Sequence, residues 1–345
     1  MTAVRMSHAE RLRACLSGES LDRPPVALWR HFPVDDQTPE GLAASTLAFQ
    51  REYDFDLVKV TPASSFCLKD WGVLDEWRGH TEGTRVYTRS VINHPKDWER
   101  LPVLDPKKGH LADQIKVLQL LVKELGSEVP VIQTIFNPLA QAKNLIGKEN
   151  LPGNISLPGN VSLPMHLRRF PEAVHAGLKT IAESTRRFIE AARQTGIAGI
   201  FYAVQHANYG LLSEEEYRIF GRYYDLQVLE PAVDMWLNML HLHGEEVMFE
   251  AFLDYPVGII NWHDQETSPS LSQAQGLFPR AVCGGLQRER TMVLGTPEQV
   301  VAEAQQAFRA TRGVRFILGT GCVTPIIAQH GNLLAARRSV ENIRS

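Results

Sequence analysis

Apolar runs and polar stretches alternate along this chain at the spacing of strands and helices in turn. Unbroken apolar segments centre near residues 26, 57, 131, 199, 237, 258, 282 and 316, each ending in a polar group or a glycine. Between them, apolar positions recur at helical spacing. A helix is predicted over 7–18, opened by Ser7 and stopped by Gly18, and another over 40–53. Further helices are predicted over 172–194, over 245–253 closed by Pro256, over 296–312 announced by T-P-E-Q, and from about 332. Eight strands in one direction, mostly separated by helices, predict an α/β fold of the (β/α)8 TIM-barrel class. The chain 1–345 reads as a single domain with an N-terminal helical extension and an insertion after strand 2. That insertion, 63–111, is rich in tryptophan and polar residues and includes a hairpin strand over 84–90. Such an excursion roofs a site or makes subunit contacts.

Composition narrows the function. With 44% hydrophobic residues in 345 the chain can bury a sizeable core. A net charge of −3, spread evenly, leaves no basic stripe for nucleic acid and no polybasic membrane patch, so small molecules are the expected partners. The opening residues lack the apolar centre of a signal peptide, no run is long enough to span a bilayer, and a cytoplasmic protein is expected. Cys15, Cys67, Cys283 and Cys322 lie far apart without paired spacing, which reads as thiols or metal ligands rather than a disulfide framework.

The densest chemistry falls over 236–264, read as strand, helix, strand, with polar groups where the strands end. Residues i and i+2 of a strand share a face, so His241 and His243 can bind one ion or stand as a hydrogen-bonded polar pair. His263, with Asn261 and Asp264, ends the next strand; it reads as acid, base, ligand or a turn-capping side chain. His206 closes the fourth strand, and Arg30 and His31 the first. Arg30 could clamp a carboxylate or pair within the rim. Lys59 and Lys143 read as structural or solvated. Trp29, Trp71, Trp77 and Trp262 could wall a flat macrocycle or fill core and lid. Cys283 is expected to be buried and inert. A near-repeat, L-P-G-N-I-S then L-P-G-N-V-S over 151–162, reads as an exposed loop lengthened by duplication. No phosphate loop, nucleotide fingerprint or serine elbow is present.

Three stretches together resemble the uroporphyrinogen decarboxylase superfamily: E-R-L-R-A-C-L-S-G-E-S-L-D-R-P-P-V-A-L-W-R from Glu10, G-G-L-Q-R-E-R-T-M-V-L-G-T-P-E-Q-V from Gly284, and F-I-L-G-T-G-C-V-T-P from Phe316. The resemblance implies a barrel enzyme, either a tetrapyrrole decarboxylase or a zinc-dependent, corrinoid-linked methyltransferase. Against the decarboxylase pattern, Arg30 matches the first arginine, but Pro62, Lys143 and Thr320 stand near other functional positions. The methyltransferase pattern, His-x-Cys plus a later Cys on zinc, maps to His241, His243 and Cys322, with histidine replacing the first cysteine. The resemblance thus implies methyl transfer with zinc on His241, His243 and Cys322 and a corrinoid carried by a partner protein. In that reading His263, Arg30, His31 and Asp264 are catalytic, and Arg30, His206 and Trp262 contact the cofactor. The alternative is a carboxy-lyase acting on a porphyrinogen or smaller carboxylated substrate; a non-catalytic tetrapyrrole-binding protein is a third class. Fold-level analogy points to a homodimer.

Overall fold

The computed structural model describes residues 5–146, 149–151 and 155–341. Seven strands form one sheet in chain order: β1 (Val58–Val60), β2 (Val131–Phe136), β3 (Gly199–Val204), β4 (Met239–Leu242), β5 (Ile259–Trp262), β6 (Ala281–Leu286) and β7 (Phe316–Thr320). Every pairing is parallel. Helices or irregular crossovers return the chain between strands, giving a TIM-barrel-like α/β fold.

The segment expected as the first strand is instead a bridge. Val26 pairs singly with Leu318. The Ala27 N–H donates to Leu318 O, the Leu318 N–H to Pro25 O, and the Asp56 N–H to Val26 O. Residues 25–27 therefore touch both β7 and the approach to β1. Pro24 and Pro25 carry no N–H, so the ladder cannot lengthen there.

Strand parity sorts the side chains. Leu57, Ile132, Phe201, Met239, Ile259, Ala281, Cys283 and Ile317 pack in one cluster on one face, under which Leu12 and Cys15 of helix His8–Ser17 are seated. Their neighbours Ile200, Tyr202, Leu240, Ile260, Trp262, Val282 and Leu318 pack in the other direction, in the layer shared with the helices. Both faces are buried, which explains why the strands read as continuous apolar runs. The helix starts follow the sequence signals: Ser7 and Thr296 close capping boxes with Glu10 and Gln299, and Thr38 caps Pro39–Tyr53.

Two predicted elements differ. The helix expected over 245–253 is a short 3-10 turn, Phe249–Phe252. Its first half is drawn into extended pairing with the loop after β3: Val247 bridges Asn208, and the Met248 N–H donates to Ala207 O. The near-repeat is no loop in its second half, where helix Gly159–Arg169 buries Leu163 and Leu167; residues 152–154, with Asn154, lie outside the described residues. The insertion does form a hairpin, Leu74–Glu76 against Val86–Arg89. No helix among the described residues is long and apolar enough to cross a membrane.

Candidate metal centre

The face that carries Met239 and Ile259 carries, two residues on, His241 and Asn261, and beyond them His243 and His263. Cys322 follows β7 by two residues. One ligand atom from each of His241, His243, His263 and Cys322 falls within 4.8 Å of the others. His263 thus joins the three residues that the resemblance suggested.

Hydrogen bonds fix which nitrogen each ring presents. The Asn261 amide donates to Cys283 O (2.9 Å) and Thr320 O (3.1 Å), so its Oδ1 accepts from His241 Nδ1 (2.7 Å). The His241 proton is therefore on Nδ1, and Nε2, buried and unpartnered, turns a lone pair inward. His263 Nδ1 is bonded to Glu266 (2.8 Å), and its Nε2 is likewise buried and unpartnered. His243 is exposed; its Nδ1 lies 3.7 Å from Cys322 Sγ. The room for His241 comes from its β3 neighbour, Ala203.

Charge gathers on the sulfur. Burial alone would keep Cys322 protonated, but the three imidazoles hold the thiol well below its ordinary pKa. Burial pulls His263 down, yet the thiolate and Glu266 outweigh it and raise its pKa to about 9. His241, more deeply buried, is shifted downward. The two shifts together favour a thiolate beside a protonated His263. A divalent cation would replace that proton. Imidazole nitrogens plus one thiolate, braced by Asn261 and Glu266, are a donor set suited to zinc.

Two cavities flank the cluster. The inner one, about 270 Å³, is lined by Trp29, His31, Lys59, Phe201, His241 and Cys322, among others. The insertion closes over it through Glu82, Thr84, Arg85 and Tyr87, and is tied down by the Glu82–Arg288 ion pair and by the Ile326 N–H donating to Thr81 O. The outer cavity, about 430 Å³, shares Lys143, Gln205 and His243 with it and adds His206. His206 is buried with φ +69° and has both ring nitrogens unpartnered. Burial holds it neutral, lowering its pKa to about 3, and does the same to His31.

Other expected site residues fall elsewhere. Arg30 lies outside the cavity lining, over the Phe32 and Phe49 rings, with a long bond to Ile326 O. Trp262 has the opposite parity to His263; it is fully buried against Phe249, its ring N–H bonded to Pro269 O, so it offers a cofactor no surface. Asp264 also misses the cavity lining: its Oδ2 accepts from the Gly285 N–H and from Gln265. Conversely, Lys59, read as structural or solvated, lies buried in the inner cavity. Its odd-numbered parity with Leu57 was the available signal. All four cysteines are free and buried.

A parallel α/β barrel-like fold with a His/Cys cluster where its strands end defines a class of protein with chemistry to perform. The model of the uroporphyrinogen decarboxylase (URO-D) family matches residues 7–343, and the chain belongs to that family. A curated relative, the methylcobamide:CoM methyltransferase MtbA of Methanosarcina mazei, is 22% identical over 261 residues, 74% of this chain and 72% of the relative. A solved methyltransferase from Methanosarcina mazei superposes with a TM-score of 0.81 at 17% identity, covering 97% of this chain and 98% of its own. A B12-independent methionine synthase from a Shewanella species gives 0.52 at 14% identity, over 94% and 95%. At these identities the solved structures bear on the fold alone.

Proposed function

We propose that this protein is a methyltransferase that uses zinc on its His/Cys cluster and exchanges a methyl group with a corrinoid carried by a partner protein. The observation that carries the reading is the convergence of the His241 and His263 Nε2 atoms, bonded to nothing outside the cluster, with His243 and the Cys322 sulfur within 4.8 Å of one another. Zinc held there would supply Lewis acidity, lowering the pKa of an acceptor thiol so that a nucleophile is available at neutral pH.

The chain's own residues do the rest. His241 and His263 are anchored from behind by Asn261 and Glu266, and Cys322 follows a buried strand. His243 is exposed and has no anchor beyond the sulfur, so of the four residues it would hold a metal least firmly. The Trp29 and Phe201 rings give the inner cavity an apolar wall, and His31, neutral, adds no charge there. Residues 25–27 serve as the eighth stave of a single-domain barrel. The relative's name couples a methylcobamide to a small acceptor, which supports two substrates meeting at the centre. Arg30, on which the decarboxylase alternative leaned, lines neither cavity.

Elemental analysis of protein purified without a metal-binding tag tests the reading. About one zinc per chain, lost in Cys322→Ala, is expected. No zinc, and none taken up on addition, would overturn it.

A further inference from the structure

Two amines of the inner cavity, Lys59 and Lys143, form no ion pair with a carboxylate among the described residues. Lys59, in the middle of β1, is 6% exposed. Its Nζ lies 4.6 Å from the Phe201 ring centroid and 5.9 Å from that of Trp29. Its hydrogen bond to Thr61 Oγ1 is long, at 3.4 Å. The one charged group that acts on it is Cys322, and that thiolate is already held by three imidazoles. The arginine and the glutamate of the lining are matched, Arg85 by Asp36 and Asp75 and Glu82 by Arg288. Lys143 gives one donor to Gln205. An ammonium buried between rings with donors unused is costly unless a ligand brings the opposite charge.

Two donors stand side by side there. The Thr61 hydroxyl makes only a 3.3 Å bond to Lys59 O, so it can turn toward a ligand. One ammonium and one hydroxyl match the two oxygens of a carboxylate. The volume, about 270 Å³, lies just below the range of drug-sized pockets, ~300–1,000 Å³, and suits a small acid.

We infer that Lys59 is the specificity-determining residue of the inner cavity, binding with Thr61 the carboxylate of a small acid whose other end reaches Cys322 and its histidines. Only the fate of that other end rests on the methyltransferase reading. The carboxylate subsite is built by β1 and the residue that follows it, and burial, which lowers the Lys59 pKa to about 7, leaves the amine ready to take up a proton when the anion arrives.

Calorimetry with mercaptopropionate and mercaptopropionamide, on protein as purified, and with propionate and propionamide on metal-stripped protein, tests it. The acid should bind about tenfold or more tightly than its amide in both pairs, as a desolvated charge pair requires. Lys59→Met should bring the ratio near one with metal content unchanged, and Thr61→Val should reduce it. Lys59→Met keeps the unbranched chain up to the ε position and removes the buried amine, and the thermal melt of each variant confirms folding. Equal affinities for acid and amide, or a preference that survives in folded Lys59→Met, would overturn the inference. If the thiols gain nothing over the thiol-free pair while propionate is still preferred, the metal reading fails and the carboxylate subsite stands.

Discussion

Asn261→Ala removes the side chain that decides which nitrogen of His241 faces the cluster. The amide makes three buried bonds, of 2.7, 2.9 and 3.1 Å, to His241, Cys283 O and Thr320 O. Without it, the His241 Nδ1–H and two carbonyls lose a partner, and each orphaned buried group costs ~1–3 kcal/mol. The ring relieves part of this by moving its proton to Nε2, toward the Cys322 thiolate. That move blocks the nitrogen a metal needs. Loss of such a supporting partner lowers metal affinity ~10–100-fold, which is ~1.4–2.8 kcal/mol at ~1.4 kcal/mol per decade. Competitive titration of zinc against a chromophoric chelator reads the affinity, and a urea melt of the metal-free protein reads the fold. Zinc affinity within about twofold of the parent, in a variant whose unfolding free energy from the urea melt falls by at least the ~1–3 kcal/mol of one orphaned group, would refute the reasoning, because the amide would then be structural only.

The remaining predictions concern the frame around the centre. Asp56 is fully buried and accepts from Arg11, Arg23, His8 and the Val26 N–H; Asp56→Asn leaves two guanidinium groups short of charge and should cost ~3–5 kcal/mol in denaturant melts. Burial alone would raise the Asp56 pKa, but His8, Arg23 and Arg11 hold it far below the ordinary carboxylate value. Its contribution is therefore fully present above the unfolded value of ~3.9 and is lost as pH falls through the lower folded one, so the stability of Asp56→Asn should vary less with pH in that acid range. Gly321→Ala would put a methyl 2.7 Å from His263 Cα and Trp262 O, both backbone. The end of β7 must then shift, with a loss of ~1–3 kcal/mol in thermal melts and weaker zinc uptake through the displaced Cys322; unchanged values would show that the turn absorbs the methyl. Arg288→Ala cuts the pair with Glu82, and limited proteolysis should then nick the loop over 79–85 faster than in the parent while the barrel fragment persists.

Much of the frame was legible in the chain because it rests on local rules. Runs such as I-I-N-W and V-I-Q-T-I-F could only be strands buried on both faces, and Ser7, Thr38 and Thr296 fixed helix starts through hydrogen bonds that span three residues. The period of two placed His241 and His243 on one face and, by the same count, set Trp262 against His263. The helix expected over 245–253 failed because Val247 and Met248 found pairing partners in the loop after β3, forty residues earlier, which no local periodicity registers.

What the sequence by itself determined is therefore the succession of elements and the face on which each strand residue lies, since both follow from backbone geometry within a few residues. What the tertiary structure alone decided is which residues of different strands stand at the same height. Parallel register sets Asn261 beside His241 and Cys283, brings His263 and Cys322 to the same point, and leaves Arg30 outside the inner cavity lining and Lys59 within it without a carboxylate partner. Those placements depend on the closure of the whole sheet, a constraint shared by strands as much as 260 residues apart, such as β1 and β7, and so not written in any one stretch of the chain.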